Sequence, residues 1–123
     1  MSSDKTPETS HEIDWDFAEQ RADTELSIAE VRAESGLTEK DRITLDLEFL
    51  PEDKDADASA FMKALESFGY LASAAEDDPD GRIDATVLDI PFTLEAIWLH
   101  EERTTKIALA RGFVPDGWGF WEP

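Results

Sequence analysis

Apolar and polar residues alternate without a fault along Ile43-Thr44-Leu45-Asp46-Leu47-Glu48-Phe49. A period of two predicts a strand with Ile43, Leu45, Leu47 and Phe49 on the core and Thr44, Asp46 and Glu48 toward water. Pro51 ends it. Upstream, a helix is expected from about Asp14 to Glu34. Asp14 and Asp16 suit its first turn, Gly36 suits its stop, and Phe17, Leu26, Ile28 and Val31 supply apolar contacts. Downstream, Asp55 or Asp57 can cap a helix running to Phe68. There Phe61, Leu65 and Phe68 recur at i, i+4 and i+7, with Gly69 closing the helix. Tyr70 to Ala75 reads as a short strand, Glu76 to Gly81 as an acidic turn, and Arg82 to Ile90 as a third strand packing through Val87, Leu88 and Ile90. After Pro91, Thr93 can cap a helix extending to Arg111. Its Leu94, Ile97, Trp98, Ile107 and Ala108 would face the sheet. Gly112 stops this helix, and the remaining residues form a fourth strand.

The order is one helix followed by strand-helix-strand-strand-helix-strand. It predicts an α+β fold: a ferredoxin-like β-α-β-β-α-β sandwich with an antiparallel sheet, preceded by an extra N-terminal helix. Residues 1–12 are polar and lack periodicity, which reads as a disordered tail. Residues 13–123 then make a single domain, with 13–36 as the leading helix. A chain of 123 residues has room for one such domain and buries about two-thirds of its unfolded surface.

Charge changes the picture more than size does. Thirty acidic residues against eleven basic ones give a formal net charge of −19. That field repels phosphate backbones, so direct nucleic-acid binding is not expected, while encounter with a basic protein is favoured. Solubility, or adaptation to a salty cytoplasm, is the other reading of the same charge. Cysteine is absent, which removes disulfides, thiolate nucleophiles and thiolate metal sites. Neither a secretory signal nor an apolar run long enough to span a bilayer is visible, so the cytoplasm is the expected location.

Catalytic chemistry is sparse. His11 falls in the expected tail, and His100 sits beside Glu101 and Glu102, whose charges would raise its pKa toward neutrality. No nucleophile elbow or phosphate loop accompanies it. Glu76, Asp78, Asp80 and Gly81 imitate the start of a calcium loop, but Val87 stands where the bidentate glutamate belongs, so a solvated turn is expected. No cofactor or metal is expected. On the last strand Trp118 and Phe120 share one face, expected to pack under the helices, and Trp121 points the other way. Trp121 reads equally as buried or as an exposed anchor for a partner, and Trp15 is a further candidate contact.

The chain closes on Phe113-Val114-Pro115-Asp116-Gly117-Trp118-Gly119-Phe120-Trp121. This helix stop, turn and Asp-Gly-Trp-Gly strand resembles the closing signature of the B-type regulators of ribonuclease E activity, small acidic bacterial proteins. Leu26 to Val31 leading to Gly36 resembles their first helix and its stop. Ala58-Ser59-Ala60-Phe61 to Leu65, followed by Phe68-Gly69-Tyr70, is similar to their sheet-packing helix and its exit. The likeness runs from about Arg21 to Trp121, with Gly69, Tyr70, Asp116, Gly117, Trp118 and Gly119 at motif positions. Pro115 departs from it, standing where an aromatic is usual.

The resemblance implies a ferredoxin-like domain with an added leading helix. It also implies a non-enzymatic role: binding and inhibiting an endoribonuclease of the ribonuclease E class, and so modulating RNA decay. Asp46, Glu48, Glu95, Glu101 and Glu102, with Trp121, are the expected contacts to a basic region of that enzyme. The alternative is a ligand-binding or self-associating scaffold unrelated to RNA metabolism. Polar Thr44, Asp46 and Glu48 argue for a solvated sheet face, whereas exposed aromatics with a closed cavity would favour a ligand.

Overall fold

The computed structural model describes residues 14–74 and 79–121. The expected tail, His11 and the first half of the acidic turn, Glu76 to Asp78, lie outside them. The elements are α1 (Phe17–Ser35), β1 (Arg42–Pro51), α2 (Ala58–Ser67), β2 (Leu71–Ala74), β3 (Ile83–Pro91), α3 (Leu94–Leu109) and β4 (Phe113–Trp121). Together they make an α+β fold with a four-stranded antiparallel sheet in the order β2-β3-β1-β4.

The alternating strand is central because it is the one that can be buried on a whole face. Ile43, Leu45, Leu47 and Phe49 are all buried, beneath Phe61 and Leu65 of α2 and Ile97 and Ala108 of α3. Phe61 stacks edge-on to Phe49 at 5.2 Å and lies 4.8 Å from Phe113, locking β1, α2 and β4 together. Burying each such ring contributes about 1.5–3 kcal/mol.

Local signals set the boundaries. Asp16, not Asp14, is the N-cap of α1, its carboxylate accepting from the Glu19 N–H. Asp57 and Thr93 cap α2 and α3 in the same way. Gly69 ends α2 in a left-handed conformation. Tyr70 N–H donates to Leu65 C=O and Gly69 N–H to Glu66 C=O, the paired bonds of a Schellman motif. That geometry turns Tyr70 inward, where it is buried, and leaves Phe68 outside.

Four expected apolar contacts therefore differ from the structure. Phe68 is 56% exposed because it is the cap rather than the last helical turn. Leu26 is 64% exposed because the inner stripe of α1 runs through Thr24, Ile28 and Val31. Leu88 is exposed because it alternates with Asp84 and Thr86 onto the face opposite the core; a β-bulge follows, Leu88 and Asp89 together opposing Thr44, with Asp89 at φ 57°. Trp98 is only partly buried, meeting Phe17 of α1 edge-on at 6.5 Å rather than the sheet.

Candidate functional site

Among the described residues, one face of the sheet carries no helix. Side chains alternate across a strand, so the face opposite the core holds Thr44, Asp46 and Glu48 of β1 with Asp84, Thr86 and Leu88 of β3. Leu71 of β2 pairs with Thr86, and Trp121 of β4 pairs with Thr44, so both join this face. Trp121 is 60% exposed.

Asp46, Glu48 and Asp84 bring carboxylate oxygens within 4.8 Å of one another. Thr86 donates to Asp46 at 2.7 Å, and Arg82 pairs with Asp84 at 3.0 Å. Burial, followed by the charges of Asp84, Asp46 and Asp116, pushes the Glu48 carboxyl above its ordinary value, with Arg82 opposing. Beside these carboxylates β4 presents Gly117 opposite Glu48 and Gly119 opposite Asp46, leaving the acids uncovered on that side. Asp116 is the extra residue of a register shift, since Glu48 pairs with Gly117 and Phe49 with Pro115.

The acidic residues of α3 lie in the other layer and do not join this cluster. Glu95 is exposed in the first turn, and Glu102 pairs with Lys106 at 3.5 Å. Glu101 departs from the expected set of surface contacts. It is 6% exposed, held beneath α1, where the Thr24 hydroxyl donates to one oxygen and Gln20 Nε2 to the other at 3.4 Å. Gln20 also donates to Thr105 at 3.1 Å and accepts from the Trp15 indole at 2.9 Å. Burial raises the Glu101 pKa to about 7, against the two hydrogen bonds that favour its ionised form.

Glu101 forms part of the wall of a cleft of about 850 Å³ between α1 and β4. Trp15, Trp118 and Phe120 supply aromatic surface, and Asp16, Glu19 and Asp23 line the α1 side. Trp118 and Phe120 also pack against the core, as expected, Phe120 lying 5.4 Å from Phe92.

His100 is turned away from both places. It hydrogen-bonds Tyr70 Oη through Nδ1 at 2.8 Å, with the rings perpendicular. Burial, then the Arg103 charge, lowers its pKa, the opposite of the rise expected from Glu101 and Glu102. Glu101 cannot raise it because that carboxyl points to the α1 side of the helix.

Sequence reasoning missed the Thr24–Gln20–Glu101–Thr105 cluster and the recruitment of Asp84 to the sheet face. Thr24 was detectable: it stands at i−4 from Ile28 and i−7 from Val31, on the same stripe. Among the described residues no helix is long and apolar enough to cross a membrane. Comparison of the sequence with protein-family models and with curated proteins finds no match.

Proposed function

We propose that this protein is a non-enzymatic acidic regulator that docks a basic region of an endoribonuclease of the ribonuclease E class and lowers its activity. The uncovered sheet face carries the reading: three clustered carboxylates beside an exposed tryptophan, on a chain of net charge −19. Clustered negative charge speeds encounter with a basic surface, and a large aromatic beside it supplies an anchor. The choice of enzyme class rests on the resemblance through Phe68-Gly69-Tyr70 and Asp116-Gly117-Trp118-Gly119. The strand order β2-β3-β1-β4, with one helix after β1 and another after β3, supports the ferredoxin-like assignment that accompanies it.

Purified protein added to a ribonuclease E cleavage assay should slow turnover, less so as salt rises. The D46K/E48K double variant and W121A should each relieve inhibition while remaining folded. No inhibition together with no complex at low salt would remove the proposal. The ligand-binding alternative draws its support from the α1–β4 cleft, whose aromatic walls the open sheet face lacks.

A further inference from the structure

The helical layer extends past the sheet beneath it. α2 packs on β2 and β3, and α3 on β1, β3 and β4, whereas α1 packs along α3 and its backbone approaches no strand. The cleft occupies the space between α1 and β4. β4 is an edge strand: β1 pairs with one side of it, and no strand among the described residues pairs with the other. An edge strand directs alternate N–H and C=O groups outward, a template for another extended backbone.

Native edges are blunted by charge, proline or bulges. In β4 those devices end at Asp116, since Pro115 and the register shift precede the run Gly117 to Trp121, which has neither charge nor proline. Gly119 is a second observation. It has no left-handed backbone, and a Cβ there would meet nothing within 4 Å. Gly119 stands opposite Asp46, so a side chain there would project over the open face, and its absence leaves that flank of the edge unshielded.

The cleft selects the charge of its occupant. Asp16, Glu19 and Asp23 line it, and among the described residues no lysine or arginine does. A second copy would bring another −19 to the edge, while a basic segment would neutralise it. Trp15, Trp118 and Phe120 offer faces for the aliphatic stems and cationic heads of lysine or arginine.

We propose that a basic, extended segment of the partner protein enters this cleft as a fifth strand on β4, its cationic side chains directed at Asp16, Glu19 and Asp23. The inference rests on the reading of the partner as a basic protein, and it adds a location and a backbone conformation.

The test titrates the full-length, ¹⁵N-labelled protein at low salt with a capped peptide of alternating lysine and valine. Companion peptides replace lysine by glutamate, or carry N-methyl groups on one or the other alternate set of backbone nitrogens. Saturable binding should slow exchange of the alternate β4 amides between Val114 and Trp121 that do not pair with β1. One methylation set should weaken binding about tenfold or more, while the other leaves it within about twofold, because only alternate nitrogens face the edge. The glutamate peptide should not bind, and E19K and D23K, at exposed positions, should each weaken the lysine peptide severalfold.

Equal tolerance of both methylation sets, no binding of the lysine peptide, or self-association through β4 would each overturn the proposal. So would protection confined to Thr44, Asp46 and Glu48. In all four cases inhibition of the nuclease by the intact protein would remain a separate measurement, so docking on the open face would stand or fall independently.

Discussion

Ionising Glu101 should loosen the attachment of α1, and the cost follows from its surroundings. The carboxyl is nearly sealed between α1 and α3 and holds its proton to about pH 7, against an ordinary value of 4.5. That difference corresponds to about 3 kcal/mol between the protonated and ionised forms. The sign follows from proton binding. Below about pH 4.5 both folded and unfolded chains are protonated, and the contribution is fully present. Between 4.5 and about 7 the unfolded chain ionises while the folded one keeps its proton, so stability falls as pH rises. Above about 7 the loss is complete. E101Q abolishes the titration and preserves the volume. Urea unfolding followed by tryptophan fluorescence should then show the variant gaining on the native chain by about 3 kcal/mol between pH 4.5 and pH 8. Subtracting the two profiles cancels the many surface carboxylates, which are common to both. A stability difference that is flat across this range would refute the reasoning.

Other substitutions separate fold from docking. G112A should destabilise more than G36A: both positions have left-handed φ, but only at Gly112 does a Cβ fall 2.9 Å from the Ala56 Cα. Thermal unfolding should show about 1–2 kcal/mol lost at Gly36 and more at Gly112. F61A removes a ring fully enclosed by Phe49 and Phe113 and should cost about 3–5 kcal/mol in chemical denaturation. W121A should leave stability within about 0.5 kcal/mol while weakening partner binding, since the indole is mostly in solvent. The ring protons of His100 should titrate below pH 6.5 in NMR, because burial and Arg103 both disfavour the imidazolium; a midpoint above 6.5 would contradict the Tyr70–His100 packing.

Most of the element order was legible because its signals are local. Strict alternation at Ile43–Phe49 has no helical solution that buries one face, and caps such as Asp57 and Thr93 act within a single turn. Errors arose where a local rule met a non-local one. Phe68 fits the apolar stripe of α2, yet the Schellman bonds at Gly69 and Tyr70 send the chain inward one residue later. Leu88 alternates correctly with Thr86, but its burial depended on which face the helices would cover. The bulge at Asp89 was invisible because nothing in Leu88-Asp89-Ile90 demands two residues opposite one.

The candidate sites divide along the same line. Asp46, Glu48 and Trp121 were readable as outward-facing because alternation fixes direction within one strand; Asp84 joined them only through cross-strand register. Glu101 looked like one more exposed acid on an acidic helix. Its burial depends on α1 crossing α3 at Thr24, and an α1 with so thin an apolar stripe gives little warning of where it will lie. The same thin stripe explains the cleft. A helix that buries little beyond Thr24 and Ile28 can rest on one neighbour and leave the adjoining strand edge bare. The acids along α1 then face that edge instead of bulk solvent alone. The polar character that makes α1 a poor core helix therefore also makes it a suitable wall for a cationic guest.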